Sequence, residues 1–340
     1  MPEAETHAAY TRAGRRALTC DLLADLAAGP QCTACCPPSA ACSLSWFPSD
    51  PGMGRRALGQ DLLHHRRSAE PPPTTPPLHC TRPSLPDTFK PIEIAGSYDK
   101  AVTLPDPFSA LITGASSGVG AAMAKELAGP GAHLFLTARD GQRLSSVGVE
   151  CEKRGARVER RICELLDDEA VSAYAAELRS SPRLDAIIHA AGAISFHPLA
   201  ELPLEVLQNV FGVNFRAPFH LTKNLLPALT AVDGQVVFVS SSAVDRGQSN
   251  TGAYTASKHA LRGLADVLRA EVNDDGVRVL SVYLGRTATP MQERVAHAEG
   301  AKYRPENLLR PEDVARAIHD TLRLPRTAEV TEIRLRPMRK

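Results

Sequence analysis

Residues 106–340 predict an α/β fold: a doubly wound, Rossmann-like, mostly parallel sheet of about seven strands with helices on both faces. Three observations lead there. Short apolar runs alternate with helical patterns over some 230 residues, which argues for right-handed crossovers in a parallel sheet. A glycine-rich turn directly follows the first apolar run. The preceding stretch, residues 1–105, shows neither period, and 16 of the 27 prolines lie at or before Pro107.

In chain order, SALITGASSGVGAAMAKELAG reads as strand, glycine turn and helix. AHLFLTAR is a second buried strand, followed by a polar helix through Lys153 that ends at Gly155. RVERRICEL is a third strand of edge character, and LDAIIHAAG a fourth. PLEVLQNVFGVNFRAPFHLTKNLLPAL has the apolar period of one long helix, with a bend expected near Pro218. GQVVFVSSS and RVLSVYLG make strands five and six, and EVTEIRLRP, alternating with period two, a seventh.

At 340 residues, 43% hydrophobic, the chain can bury a sizeable core. A net charge of +1 gives no reason to expect a nucleic-acid partner. No window approaches 18 uninterrupted apolar residues, so no membrane span is expected. The start, MPEAETHAAYTRAGRR, has early acids and no apolar run, unlike a secretory signal or a transit peptide, so a cytoplasmic protein is expected.

Residues 1–105 read as a mostly disordered extension, because CCPPSAACS and EPPPTTPPLHC cannot sustain a helix or an inner strand. GRRALTCDLL (14–23) recurs as GRRALGQDLL (54–63), too few copies for a solenoid. Cys32, Cys35, Cys36, Cys42, His64, His65, His79 and Cys80 match no closed zinc spacing, so no metal is expected and reduced thiols are favoured.

Two places carry chemistry. In Thr113-Gly114-Ala115-Ser116-Ser117-Gly118-Val119-Gly120, the glycines allow a tight turn, close approach of a pyrophosphate and packing of the helix on the strand. The helix N-terminus presents unpaired N–H groups to such an anion. In GAYTASKHAL, Tyr254 and Lys258 stand four apart, on one helix face. An ammonium beside a phenol favours the phenolate, and so makes a general acid or base of the tyrosine.

TGASSGVG, the segment Gly212-Val213-Asn214, the serines after strand five and Tyr254-x-x-x-Lys258 appear in the order and spacing of the short-chain dehydrogenase/reductase family, which residues 107–340 therefore resemble. The resemblance implies that Tyr254 exchanges a proton with the substrate carbonyl oxygen, and that Lys258 lowers its pKa and bonds the cofactor ribose. It implies that Ser241, 13 residues before Tyr254, holds the substrate oxygen, with Ser240 and Ser242 the alternatives. Asn214 would anchor a water on the proton path to Lys258.

For the cofactor, the resemblance points to Gly114, Ser116, Ser117, Gly118, Val119 and Gly120 at the phosphates. Glu164 and Leu165 fall near the adenine, Glu164 replacing the usual aspartate. Ala191 and Gly192 end a variant Asn-Asn-Ala-Gly signature that begins here with His189, read as a satisfied core histidine. Gly285, after Leu284 in place of the usual proline, precedes Thr287 and Thr289 at the nicotinamide and phosphates. The second strand ends in Ala138-Arg139, not an acid. Arg139 therefore points to NADP(H) over NAD(H), the bland reading being that Arg139 and Asp140 merely cap a helix. Asp245, Arg246 and Gln248 suggest a polar carbonyl or alcohol substrate, and the short stretch from Thr289 to about Pro311 a rather open or small site. A homodimer or homotetramer built on the long helix and the Tyr254 helix is implied. The rival is a catalytically silent NADPH-binding regulator or scaffold acting through its N-terminal extension.

Overall fold

The computed structural model describes residues 103–338. The expected disorder of the extension, its repeat and its cysteine cluster lie outside the described residues. Seven strands form one sheet: β1 (Phe108–Thr113), β2 (Ala132–Ala138), β3 (Arg157–Ile162), β4 (Ala186–His189), β5 (Gln235–Ser241), β6 (Arg278–Leu284) and β7 (Glu332–Leu335), in the order β3-β2-β1-β4-β5-β6-β7. All six pairings are parallel, so the sheet is parallel throughout rather than mostly so.

The reason lies in the strands themselves. β1, β2, β4, β5 and β6 are near-continuous apolar runs, the pattern of strands covered on both faces. One face packs under α1 (Gly118–Leu127), α2 (Gly141–Lys153) and α8 (Pro311–Leu322). The other packs under α3 (Asp168–Arg179), α5 (Ala217–Thr230) and α6 (Gly252–Val272). β3 is an edge, as its sequence suggests, with Arg157, Glu159, Arg160 and Arg161 guarding its free backbone. Among the described residues no helix is long and apolar enough to cross a membrane.

The expected long helix is one continuous helical stretch, but its irregularity is not at Pro218. α4 (Leu204–Phe211) passes into a widened π turn, Gly212–Arg216, before α5 begins. Pro218 falls at the start of α5, where its missing N–H and fixed φ are tolerated. The extra residue of the π turn is accommodated around Asn214 instead, which is fully buried.

Strand order reverses between β1 and β4, and beyond the carboxyl ends of such strands an open sheet forms a crevice. A large cleft lies there.

Candidate active site

A cleft of about 1250 Å³ runs along the carboxyl ends of the strands, from Arg139 beyond β2 to Gln248 beyond β5. Of the residues singled out in the sequence, Gly114, Ser116, Ser117, Gly118, Val119, Arg139, Glu164, Leu165, Ala191, Gly192, Ser241, Tyr254, Lys258, Gly285, Thr287 and Thr289 line it. Gly120 and Asn214 do not; each acts from behind the wall.

The first turn is closed by backbone packed too tightly for a Cβ. Gly114 holds φ +68, and a Cβ there would lie 2.7 Å from the backbone of Ala191. A Cβ on Gly120 would strike the Gly114 carbonyl, so this residue lets α1 start tight against β1 rather than touching any ligand. Ser117 at the N-cap of α1 makes no side-chain cap, and the first N–H groups of that helix face the cleft uncapped. Backbone donors at the positive end of a helix suit a pyrophosphate, so the residues present fit a dinucleotide.

At the β2 end, Asp140 alone caps α2, accepting from the Arg143 N–H at 3.0 Å. Arg139 takes no part in that cap. Its guanidinium stands exposed, 3.9 Å from Glu164, on the rim of the cleft. Arg143, 3.2 Å from Asp140, lines the same end and was missed in the sequence, although its place four residues after Arg139 was a usable cue.

At the other end, Ser241 closes β5 and sits at the N-cap of a 3₁₀ turn, its Oγ accepting from the Ala243 N–H at 3.1 Å. It also acts on the Tyr254 phenol, pulling its pKa down against burial. Ser240 is buried on the face under α6 and Ser242 is exposed; of the three, Ser241 is the serine whose hydroxyl acts on the tyrosine. Tyr254 and Lys258 share one face of α6, with Nζ 5.9 Å from the phenol ring centroid. Lys258 is 4% exposed and donates to the Val239 carbonyl at 3.0 Å.

The electrostatics differ from expectation. Burial pushes the Lys258 ammonium down to about 8. Burial also pushes the Tyr254 phenol up, and the opposing pull comes from the Ser241 hydroxyl rather than from Lys258. A cation whose own charge is penalised by burial, and which is turned toward a carbonyl, is a weaker lever on its neighbour than helical spacing alone suggests.

Asn214 braces the pair. Its Oδ1 accepts from the Ala193 N–H at 2.7 Å, and its Nδ2 donates to the Ala193 carbonyl and to Ser257 Oγ, both at 2.9 Å. The side chain thus ties the loop after β4 to α6. His189 is only half satisfied: Nε2 meets Thr222 Oγ1 at 2.9 Å, while Nδ1 has no partner among the described residues. Burial, with Lys258 nearby, pushes it down to about 3, so it is neutral. Asp245 and Arg246 line the far end with Gln248, but Asp245 is held by Arg334 at 2.6 Å. α7 (Pro290–Ala298), capped by Thr289, covers the cleft with Met291 and Val295.

Residues 109–300 match the family described as short chain dehydrogenase. YciK of Escherichia coli K12, an uncharacterized oxidoreductase, is 35% identical over 210 residues, 60% of this chain and 81% of that protein. A metagenomic short-chain oxidoreductase solved in complex with NADP superposes with a TM-score of 0.60 at 30% identity, over 69% of this chain and 99% of that one. A short-chain dehydrogenase from Shigella flexneri 2a, also solved with NADP, gives 0.62 at 33% identity, over 69% and 99%. With the crevice, the glycine turn and the tyrosine–lysine face in these positions, the chain belongs to the short-chain dehydrogenase family.

Proposed function

We propose that this protein is an NADP(H)-dependent oxidoreductase that interconverts a carbonyl compound and its alcohol. The observation that carries the reading is the joint placement of Ser241, Tyr254 and Lys258 at one end of a cleft whose other end offers uncapped helix N–H groups and Arg139. NADP(H), when bound, supplies or accepts the hydride.

The chain's own part is proton handling and positioning. Tyr254, whose phenol burial holds more firmly protonated, gives its proton to the carbonyl oxygen in reduction and takes it back in oxidation. Ser241 donates to the same oxygen and steadies the charge that develops there. Lys258, buried with a pKa near 8, is mostly ammonium at pH 7 and bonds the ribose hydroxyls. Asn214 keeps the loop after β4 and α6 in register and holds the widened turn on the path to Lys258. Gly114, Ser116, Ser117, Gly118 and Val119 cradle the phosphates, with Thr289 opposite, while Thr287 and Gly285 border the nicotinamide. Ala191 and Gly192 let it approach, and Glu164 and Leu165 flank the adenine.

NADP(H) is preferred to NAD(H) because the β2 end presents Arg139 and Arg143 to a 2′-phosphate; relatives solved with NADP support this. Gln248 and Arg246 at the far end favour a polar substrate. Exposed Phe219 on α5 and Val267 on α6 suit a homodimer or homotetramer packed on those helices.

The deciding experiment follows NADPH absorbance across a panel of aldehydes, ketones and oxo-acids, with Tyr254→Phe as control. Turnover abolished in the variant, with NADPH binding retained, supports the enzyme. NADPH binding without turnover of any substrate supports the silent regulator.

A further inference from the structure

Among the described residues, two buried polar atoms on the face of the sheet under α5 and α6 have no partner: Nδ1 of His189 and Oγ of Ser240, in residues 1% and 6% exposed. They are neighbours. His189 follows Ile187 at period two on β4, and Ser240 follows Phe238 on β5; Ile187 and Phe238 both belong to the core of this face. His189 is in register with Phe238, and its imidazole stacks on that ring with centroids 5.2 Å apart. Ser240 therefore lies one two-residue step farther toward the cleft on the adjacent strand. Lys258 enters the same space from α6. Its ammonium has three donors, one of them given to the Val239 carbonyl. Ser240 and Lys258 both border the cleft, which supplies a way in.

Buried polar atoms without a protein partner are uncommon, and such groups are typically joined by an internal water making about three hydrogen bonds. We propose that a structural water is bound between His189 Nδ1, Ser240 Oγ and Lys258 Nζ, and that through it His189 acts as a positioning residue for Lys258. Only the consequence for turnover rests on the oxidoreductase reading; the water site does not.

The chemistry of the three groups fits one arrangement. The imidazole is neutral, and a nearby ammonium disfavours an N–H pointing at it. The proton therefore sits on Nε2, donated to Thr222 Oγ1, and Nδ1 offers a lone pair. The water accepts from Nζ and gives its hydrogens to Nδ1 and to Ser240 Oγ. The titratable groups around Lys258 are Tyr254 on its own helix and His189 on β4. Tyr283 on β6 pairs in register with Ser240 and has its hydroxyl on Glu332 at 3.4 Å. None of the three is an anion at neutral pH. The ammonium is thus held by dipoles, the Val239 carbonyl and the water, instead of a counter-ion.

A crystal structure of the full-length protein, at a resolution that places ordered waters, tests the site directly. Density within hydrogen-bond distance of all three atoms is expected. An empty gap, or an imidazole turned so that Nδ1 bonds a protein group, overturns the proposal. Nitrogen-15 NMR of His189 should report the Nε2–H tautomer; the Nδ1–H tautomer also overturns it. Neither measurement needs turnover, so both stand apart from failure of the functional reading. In the pH–rate profile, His189→Phe should move the alkaline limb down by about one pH unit, a tenfold change in the Lys258 protonation equilibrium. His189→Asn, whose side-chain oxygen stands near the place of Nδ1, should restore it. An unmoved limb in His189→Phe removes the positioning role.

Discussion

Asn214 donates from Nδ2 to the hydroxyl of Ser257 at 2.9 Å, and this single bond fastens the widened turn before α5 to the helix that carries Tyr254 and Lys258. The same side chain clamps Ala193 from both its N–H and its carbonyl. Replacing it by leucine leaves those groups buried and unpaired. Asn214→Leu should lose about 3 kcal/mol of stability in a denaturant titration, since each stranded buried group costs about 1–3 kcal/mol. A loss below about 0.5 kcal/mol would show that the clamp is ornamental.

Lys258 stabilises nothing by being charged. Its folded pKa of about 8 lies below the ordinary 10.5, so the unfolded chain binds more protons between those values and stability rises with pH across that window. At pH 7 the buried charge costs about 3 kcal/mol on the scale of 1.36 kcal/mol per pH unit. Lys258→Met should therefore melt higher than the wild type at pH 7, with the gain fading as pH passes from 8 toward 10.5, while turnover is lost. Equal melting temperatures at pH 7 would refute the assigned cost.

Arg139 and Arg143 mark the cofactor end. Arg139→Ala should raise KM for NADPH about tenfold or more, with KM for NADH changed less than twofold, because a charge-assisted bond to phosphate contributes about 1.5–3 kcal/mol. Arg143→Ala should add to the effect. The measurement is steady-state kinetics with both cofactors; unchanged NADPH preference in the double variant rejects the 2′-phosphate role.

Ser241 and Ser242 are adjacent in sequence yet should behave oppositely. Ser241→Ala should lower kcat by about 10²–10³, the usual effect of removing one donor to a developing oxyanion. Exposed Ser242→Ala should leave kcat within about twofold. The reverse ranking would reassign the donor.

What could be read from the chain alone follows from local rules. Apolar runs reveal strands, glycines and helical spacing reveal a turn and a shared face, and a cluster of motifs in order reveals the family. Those features depend on residues near one another, so Gly114, Gly118, Tyr254 and Lys258 were legible. So was the edge character of β3.

What only the fold decided depends on contacts between residues far apart. The irregularity of the long helix moved from Pro218 to Gly212–Arg216, because Asn214 must reach Ala193 and Ser257, 21 and 43 residues away. The roles around the phenol changed for the same reason. Helical spacing puts an ammonium beside Tyr254, but burial under the sheet penalises that charge and turns it to the Val239 carbonyl, leaving Ser241 as the group that pulls the phenol down. A pKa belongs to an environment, and the environment of Lys258 is assembled by β4, β5 and α6 together.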